Sequence, residues 1–320
     1  MGEHNNAMCR FFVHAEYYAD FWNGIIFQGK QVIKADELEL VGGTYYTVSK
    51  TKSKEKRRTM EQHRDLLMRR TVKNQNEVLL GMELMDTIDY TMPVRKLLYD
   101  AQEYYRRMRV MIRQNRATAK QQKEPTASKY WKHSGEFLYG FRKDDKVPPL
   151  ITVALYCGKE EYDGCKDLTD MLQSKQIDAE YKKWINGYPL HLIVLQELKE
   201  ELFQTGLREL IGVMKRSSEQ KELLQYYEEN KSRFARLDDV TIETIGSMIG
   251  NNNLMECKQE EGGLDMCKAF EDVREEGKIE GEDRYARLAK ELCLRERMAD
   301  IIEAATNLEY RNRLYQEFSI

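Results

Sequence analysis

The sequence predicts an α/β protein with an all-helical C-terminal extension, and three observations lead to this class. Short apolar runs typical of strands, at residues 65–72, 78–85 and 147–158, stand between helical patterns. A chain of 320 residues is long enough to bury a substantial core. Beyond about residue 240 the sequence is charge-rich, with Leu, Met and Ile at helical spacing. We therefore expect one domain over residues 1–238 and a helical segment over residues 239–320.

The first part of the domain combines a helix, an extended segment and a hairpin. Aromatic residues recur at helical spacing between Arg10 and Phe27, and the extended segment Gln31–Leu40 follows a turn. Residues 42–56 form a basic connection. The apolar runs 65–72 and 78–85, with the polar residues KNQNE between them, predict a β-hairpin.

The rest of the domain begins with a long helix. Pro93 stands near the first turn of a helical pattern that continues to Gln114. Residues 117–145 are polar without sustained periodicity and predict a loop. Two core strands are expected next, at residues 147–158 and 188–195, and helical sequence follows them.

Composition excludes several classes of protein. The six cysteines are scattered without a C-x-x-C pair or zinc-type spacing, so we expect reduced thiols. No apolar stretch reaches the length of a membrane span, and the N-terminus lacks the pattern of a secretory signal. There is no Walker loop, dinucleotide fingerprint or G-x-S-x-G motif. We therefore expect a cytoplasmic protein without a membrane partner.

The distribution of charge is more informative than the net charge of −3. Residues 50–73 and 104–123 are strongly basic, whereas acidic residues concentrate in the last third of the chain. This segregation can give a local positive surface for a polyanion such as DNA. The alternative is that both runs are ordinary solvated segments.

One glutamate stands in the middle of the second hairpin strand. Alternation along a strand places Glu83 on the same face as Gly81 and Met85. In a hairpin Asp65, at the start of the first strand, approaches Glu83, and two carboxylates there would suit Mg²⁺ or Mn²⁺. Such a metal can activate water for attack on a phosphodiester. The alternative is a glutamate at a sheet edge or paired with a basic side chain.

The motifs around this hairpin resemble the Rpn family of bacterial recombination-promoting nucleases, a family also described as transposases and a branch of the PD-(D/E)XK nuclease superfamily. Corresponding residues lie along almost the whole chain. They are Arg64-Asp65, Gly81-Met82-Glu83, Tyr90-Thr91-Met92-Pro93-Val94-Arg95, Tyr99-Asp100, the segment PPLITVALYCG with Tyr162-Asp163-Gly164, and the helix EEGKIEGED.

The resemblance implies a restriction-endonuclease-like core, with a mixed central sheet flanked by helices. It also implies that Asp65 and Glu83 bind a divalent metal ion, that DNA is the substrate, and that the C-terminal helices form a homo-oligomer. The basic residues expected to hold DNA are Lys54, Lys56, Arg57, Arg58, Arg69, Arg70 and Arg95.

The chain departs from the family pattern at Met85, where the family has Gln and the wider superfamily Lys. That third group normally donates a hydrogen bond or a charge to the attacking water or the phosphate. Methionine has no donor, and the loss of one such donor can slow a reaction on the order of a hundredfold or more. Gln102, with Lys96 as a second candidate, is a possible replacement donor from the following helix, and the favoured alternative is that both are ordinary exposed helix residues.

Two functions follow from these residues. The first is a Mg²⁺-dependent or Mn²⁺-dependent DNA endonuclease, linked to recombination or mobile DNA, with catalytic Asp65, Glu83 and Gln102. The second is a catalytically impaired homologue that binds DNA or protein as an oligomer, because Met85 replaces the usual donor. True transposition is a third and weaker alternative, since no three-acid integrase pattern is present.

Overall fold

The computed structural model describes residues 3–41, 44–48, 59–72, 76–121, 130–173, 178–250, 258–259, 263–264, 284–295 and 297–318. These residues divide into two compact units, Met1–Gln220 and Lys221–Ile320. The division falls inside the segment that the sequence assigns to the first domain. Within the described residues no helix is both long enough and apolar enough to cross a membrane.

The first unit is α/β and contains a five-stranded mixed sheet. The strands of the whole unit are β1 (Leu38–Leu40), β2 (Thr44–Val48), β3 (Thr59–His63), β4 (Leu66–Val72), β5 (Asn76–Met85), β6 (Leu150–Tyr156) and β7 (His191–Val194). Its helices are α1 (Glu3–Phe12), α2 (Ala15–Phe27), α3 (Met92–Gln121), α4 (Ser134–Tyr139), α5 (Ala179–Lys182) and α6 (Leu207–Arg216).

The strand order in the sheet is β1-β4-β5-β6-β7, while β2 and β3 form a separate two-stranded ladder. Strand β4 is antiparallel to both of its neighbours, β1 and β5, and β5, β6 and β7 are parallel. Residues Leu66 and Met82 face each other across the β4–β5 pair, so the predicted hairpin is confirmed. The parallel pairs need crossover connections, and α3 lies in the one between β5 and β6.

Helices flank the sheet and extend its core. Helix α1 contacts β5, α2 contacts β1, and α3 contacts β6. The Tyr18 hydroxyl of α2 donates a buried hydrogen bond to the Leu80 carbonyl of β5. Tyr18, Phe21 and Trp22, which belong to the aromatic pattern of the first predicted helix, are fully buried. That helix is interrupted at Val13-His14 and forms two helices.

The predicted loop over residues 117–145 is wrong in part. Helix α3 continues to Gln121 through residues such as Ala117 and Ala119 that favour helix, and α4 forms within the same stretch. Glu136 satisfies the N-terminus of α4 by accepting hydrogen bonds from two backbone N–H groups. Gly140 ends α4 at φ +73°, a conformation that suits glycine.

The second unit contains helices α7 (Gln220–Glu229), α8 (Lys231–Phe234), α9 (Asp239–Ile249), α10 (residues 284–294), α11 (Met298–Thr306) and α12 (Leu308–Phe318). Two short strands, β8 (Lys258–Gln259) and β9 (Gly263–Leu264), also pair within it. The expectation of an all-helical extension is therefore corrected here. The glycine that begins β9 disfavours helix, because glycine loses much conformational freedom when it becomes ordered.

The last three helices share a small core of their own. Leu288, Leu292, Ala304 and Leu314 are almost completely buried in it. A different set of large apolar side chains on these helices is exposed, namely Leu294, Met298, Ile302 and Leu308. This segment therefore has both a packed core and an apolar surface.

Candidate functional site

The β4–β5 hairpin brings the two predicted metal-binding carboxylates to the same end of the sheet. Asp65 directly precedes β4, and its Oδ2 accepts a hydrogen bond of 2.8 Å from the backbone N–H of Leu84. Glu83 lies beside Leu84 on β5. The negative charge of Asp65 repels that of Glu83 and contributes to raising the pKa of Glu83. The sequence prediction that these two acids converge thus agrees with the observed strand pairing.

Glu83 is a fully buried carboxylate in an incompletely satisfied environment. Its relative exposure is 0%, and neither of its oxygens accepts a hydrogen bond from the described residues. Burial raises the pKa of Glu83 to about 8, although the positive charge of Arg64 acts in the opposite direction. The pKa of Asp65 is also raised by burial, against the effect of the Leu84 hydrogen bond.

Arg64 supplies a buried positive charge between two acids. Its Nε lies 3.4 Å from Glu83 Oε1 without forming a hydrogen bond there, and its Nη2 donates to Asp100 Oδ1 on α3. Its Nη1 donates to the Thr152 hydroxyl on β6 at 3.2 Å. The guanidinium is therefore held in one position by groups from two other elements.

Gly81 provides the space that Arg64 occupies. A Cβ atom at Gly81 would lie 2.6 Å from Arg64 Nη1 and 2.8 Å from Thr152 Oγ1, both too close for an unshifted structure. Gly81 and Thr152 are register partners in the parallel β5–β6 pair. A glycine two residues before Glu83 thus permits a buried arginine on the same face of the sheet.

Asp100 is the most extensively bonded acid of the site. Its Oδ1 accepts from Arg64 and from Thr152, and its Oδ2 accepts from Tyr188 at 2.7 Å and from Lys96 at 3.1 Å. Burial alone would raise the pKa of Asp100, but these positive and donating groups outweigh it and the pKa lies below its usual range. Asp100 is therefore charged and fully bonded, in contrast to Glu83.

Met85 lies in an apolar cluster. Its neighbours there include Met92, Ala154, Tyr156 and Leu190, and only 3% of Met85 is exposed. Register pairs Met85 with Tyr156 and Glu83 with Ala154, and both Tyr156 and Ala154 belong to the cluster, so the cluster reaches the level of the carboxylate. The sequence argument that Met85 supplies no donor is consistent with this apolar packing.

The two residues suggested as replacement donors occupy different places on α3. Lys96 is buried, bonds Asp100 and lies 4.2 Å from the centre of the Tyr188 ring. Asp100 reaches Thr152, and the Tyr104 hydroxyl accepts from the Leu150 N–H at the start of β6. Gln102 therefore lies along α3 between these two levels, away from the strand end that carries Glu83.

A cleft opens at the carboxyl end of β5. Its volume is about 470 Å³, and it is lined by Asn5, Leu84, Met85, the segment 86–91 and Arg95. Arg95 pairs with Asp89 and donates to the Tyr99 hydroxyl at 3.3 Å, and its charge lowers the pKa of both Asp65 and Glu83. The predicted phosphate contact Arg95 is thus on the wall of a cleft beside the two carboxylates.

The other predicted DNA-binding residues are distributed differently. Arg69 pairs with Glu39, and Arg70 pairs with Glu37 and donates to the Val32 carbonyl. Acidic partners therefore neutralise much of their charge. Lys54, Lys56, Arg57 and Arg58 lie outside the described residues.

Sequence reasoning assigned no role to several residues that complete this site. The dipeptides Arg64-Asp65 and Tyr99-Asp100 are motifs of the sequence, and Arg64 of the first forms a buried pair with Asp100 of the second. Thr152 and Tyr188 gave no comparable signal, because they reach Asp100 only through the fold. The described part of the chain contains no group of three or more His, Cys, Asp or Glu placed to hold a metal ion.

Comparison of the chain with models of protein families, with curated proteins and with solved structures finds no match.

Proposed function

We propose that this chain is a divalent-metal-dependent DNA endonuclease, with Asp65 and Glu83 as the metal ligands. The observation that carries the proposal is the Glu83 carboxylate, which is fully buried, lacks hydrogen bonds from the described residues and stands beside Asp65 at a strand end. Arg64, 3.4 Å from Glu83, compensates this buried charge only in part, because burial still raises the pKa of Glu83, so a further cation or a proton would stabilise the carboxylate. Clustered groups with strongly perturbed pKa values in a cleft are typical of functional sites.

The residues fit magnesium or manganese as a site with few protein ligands. Mg²⁺ commonly uses one or two carboxylates and completes its octahedral shell with water and substrate phosphates. The described residues contain no group of three or more His, Cys, Asp or Glu placed to hold a metal ion, which does not conflict with such a site. Arg64, 3.4 Å from Glu83, already places one positive charge at that carboxylate, and its charge would repel further cations there. When bound, the metal would polarise the phosphodiester and lower the pKa of a water molecule.

The protein's own groups would orient the substrate. Asp65 is fixed through one carboxylate oxygen by the N–H of Leu84, a residue that lines the cleft, which leaves its other oxygen for a metal ion. Arg95 on the cleft wall is paired with Asp89, so a phosphate would share or replace that partner, and a guanidinium can bind phosphate through two donors. Arg64 and Arg95 together would stabilise negative charge near the two acids.

The relationship to the Rpn family and the restriction-endonuclease-like fold belongs to the same proposal. The mixed sheet, the adjacent acids on a hairpin and the pairing of Arg64 with Asp100 support it. So does the apolar surface of the C-terminal helices, which suits a homo-oligomer. A role in recombination or mobile DNA follows from the family resemblance alone.

A catalytically impaired DNA-binding or protein-binding homologue is the second candidate. The observation that favours it is the position of Met85 in an apolar cluster, where it offers no donor to a water or a phosphate. Gln102 lies along α3 away from the strand end that carries Glu83, which does not favour it as a replacement for the missing donor. In this case metal binding could persist without cleavage.

Cleavage of supercoiled and linear DNA by the purified protein, with Mg²⁺ and then Mn²⁺, tests the two candidates. The variants are Asp65→Ala, Glu83→Gln and Met85→Gln, with the exposed Glu201→Gln as a control. Nicking by the native protein and the control, lost in the Asp65 and Glu83 variants, supports the endonuclease. A silent native protein with activity in Met85→Gln supports the impaired homologue, and activity that survives Asp65→Ala contradicts both assignments of the site.

A further inference from the structure

The C-terminal half of α3 carries a row of exposed cations. Arg109, Arg113, Arg116 and Lys120 are spaced by four, three and four residues and therefore share one face of the helix. All four are exposed. With a rise of 1.5 Å per residue the row extends over roughly 16 Å.

These four cations differ from their neighbours in having no acidic partner among the described residues. Among the described residues, Arg109 donates to the Tyr105 hydroxyl, at 3.2 Å, and Arg116 to the Leu138 carbonyl, at 3.5 Å. Arg107, by contrast, pairs with both Glu77 and Glu103. The row therefore keeps its positive charge available to an external anion.

An aromatic cavity lies at the end of this row. Its volume is about 380 Å³, and it is lined by Arg116, Ala119, Lys120, Trp131 and Phe137. Trp131 is buried, whereas Phe137 is 63% exposed. Two aromatic rings and two cations thus meet at one opening of a size typical of ligand pockets.

The exposed surface continues beyond the cavity. Phe137, Leu138 and Tyr139 are three consecutive apolar residues on α4, and each is more than 60% exposed. Tyr105, beside Arg109 at the other end of the row, is 56% exposed. Aromatic side chains therefore lie at both ends of the basic row. Single apolar residues scattered over a surface are normal, but this ordered arrangement is not of that kind.

We propose that the surface formed by Arg109, Arg113, Arg116, Lys120 and Phe137 binds a single strand of nucleic acid. Single-strand sites combine a basic track for the phosphates with aromatic rings on which unstacked bases lie. A duplex could contact the cations through its phosphates, but its bases remain stacked and could not enter the cavity. The cavity therefore favours the single strand.

This surface is separate from the Asp65–Glu83 end of the sheet. Arg95 and Lys120 are 25 positions apart on α3, which corresponds to roughly 38 Å along the helix axis. The inference does not depend on DNA cleavage, because binding can be measured without a divalent cation. If the protein does cleave DNA, the surface would hold one strand of the substrate at a distance from the cut.

Fluorescence anisotropy in EDTA, with a labelled single strand of about 16 nucleotides and the corresponding duplex, tests the proposal. We expect the single strand to bind more tightly than the duplex. The triple variant Arg113→Gln/Arg116→Gln/Lys120→Gln should reduce the slope of log K against log salt concentration by about 2, since each lost phosphate contact contributes roughly 0.7. Phe137→Ala should weaken single-strand binding roughly tenfold through the loss of stacking.

Exposed residues elsewhere on the first unit provide the controls. Lys30→Gln/Lys159→Gln removes exposed cations, and Tyr181→Ala removes an exposed aromatic ring, so both should bind like the native protein. Equal or tighter binding of the duplex, or an unchanged single-strand affinity of Phe137→Ala, would overturn the single-strand assignment. Binding to anionic phospholipid vesicles without binding to the oligonucleotide would overturn it as well.

Discussion

Arg64 Nε lies 3.4 Å from Glu83 Oε1, and both side chains are completely buried. The two residues nevertheless differ in their bonding, since Arg64 is bonded to Asp100 and Thr152 while Glu83 accepts no hydrogen bond from the described residues. Burial therefore outweighs the attraction of Arg64, and the pKa of Glu83 rises to about 8. The site thus combines a fixed positive charge with a carboxyl group that is easily protonated.

Ionisation of Glu83 should make the stability of the protein depend on pH. A carboxyl whose pKa is raised in the folded state holds its proton there while the unfolded chain has lost it. The free energy of unfolding should then fall by about 1.4 kcal/mol per pH unit as the pH rises from roughly 4.5 towards 8. Urea denaturation in EDTA at several pH values measures this slope.

The variant Glu83→Gln isolates the contribution of this residue. Its free energy of unfolding should depend less on pH than that of the native protein over the same range. Relative to the native protein, the variant should gain stability towards pH 8. The exposed Glu39→Gln should keep the native slope. A Glu83→Gln variant with the native pH dependence would show that another group titrates.

Replacement of Asp100 should cause a large loss of stability. Asp100→Asn leaves the buried Arg64 and Lys96 without their counter-charge, and breaking a buried ion pair from one side typically costs about 3–5 kcal/mol. The change in the urea midpoint at constant slope measures the loss. Glu180→Gln, in an exposed pair with Lys183, is the matched control and should have no measurable effect. A midpoint of Asp100→Asn equal to that of the control would show that the network contributes little.

Gly81→Ala should destabilise the protein by displacing Arg64. The new Cβ would lie 2.6 Å from Arg64 Nη1, and overpacking of this kind typically costs about 1–3 kcal/mol. Gly135→Ala is the control, because nothing lies within 4 Å of the added atom and α4 should tolerate it. If both alanine variants unfold at the same denaturant concentration, Arg64 has more room than the contacts indicate.

The apolar surface of α11 should mediate self-association. Ile302 is 72% exposed and Met298 is 59% exposed one turn before it, so Ile302→Glu should shift an oligomer towards monomer in sedimentation velocity. Ala299→Glu, also exposed but about 100° around the helix from Met298, should leave the oligomer intact. Equal dissociation by the two variants would point to non-specific charge repulsion.

The positions of the main strands could be predicted from the sequence because their signals are local. The apolar run of residues 78–85, the polar residues before it and the apolar run of β6 each depend on neighbouring residues only. The end of α3 was misjudged because its polar last turns are supported by distant contacts. Asn115, for example, donates to the Gly140 carbonyl and to Asp145.

The candidate site shows the same division between local and distant information. The sequence by itself determined the hairpin that allows Asp65 and Glu83 to approach each other, although their spacing does not require it. Only the tertiary structure decided that Gly81 makes room for Arg64 and that Asp100 fixes Arg64 beside Glu83. It also decided that Glu37 and Glu39 neutralise Arg70 and Arg69. Charge and burial depend on which distant side chains meet, and no periodicity of the chain records those meetings.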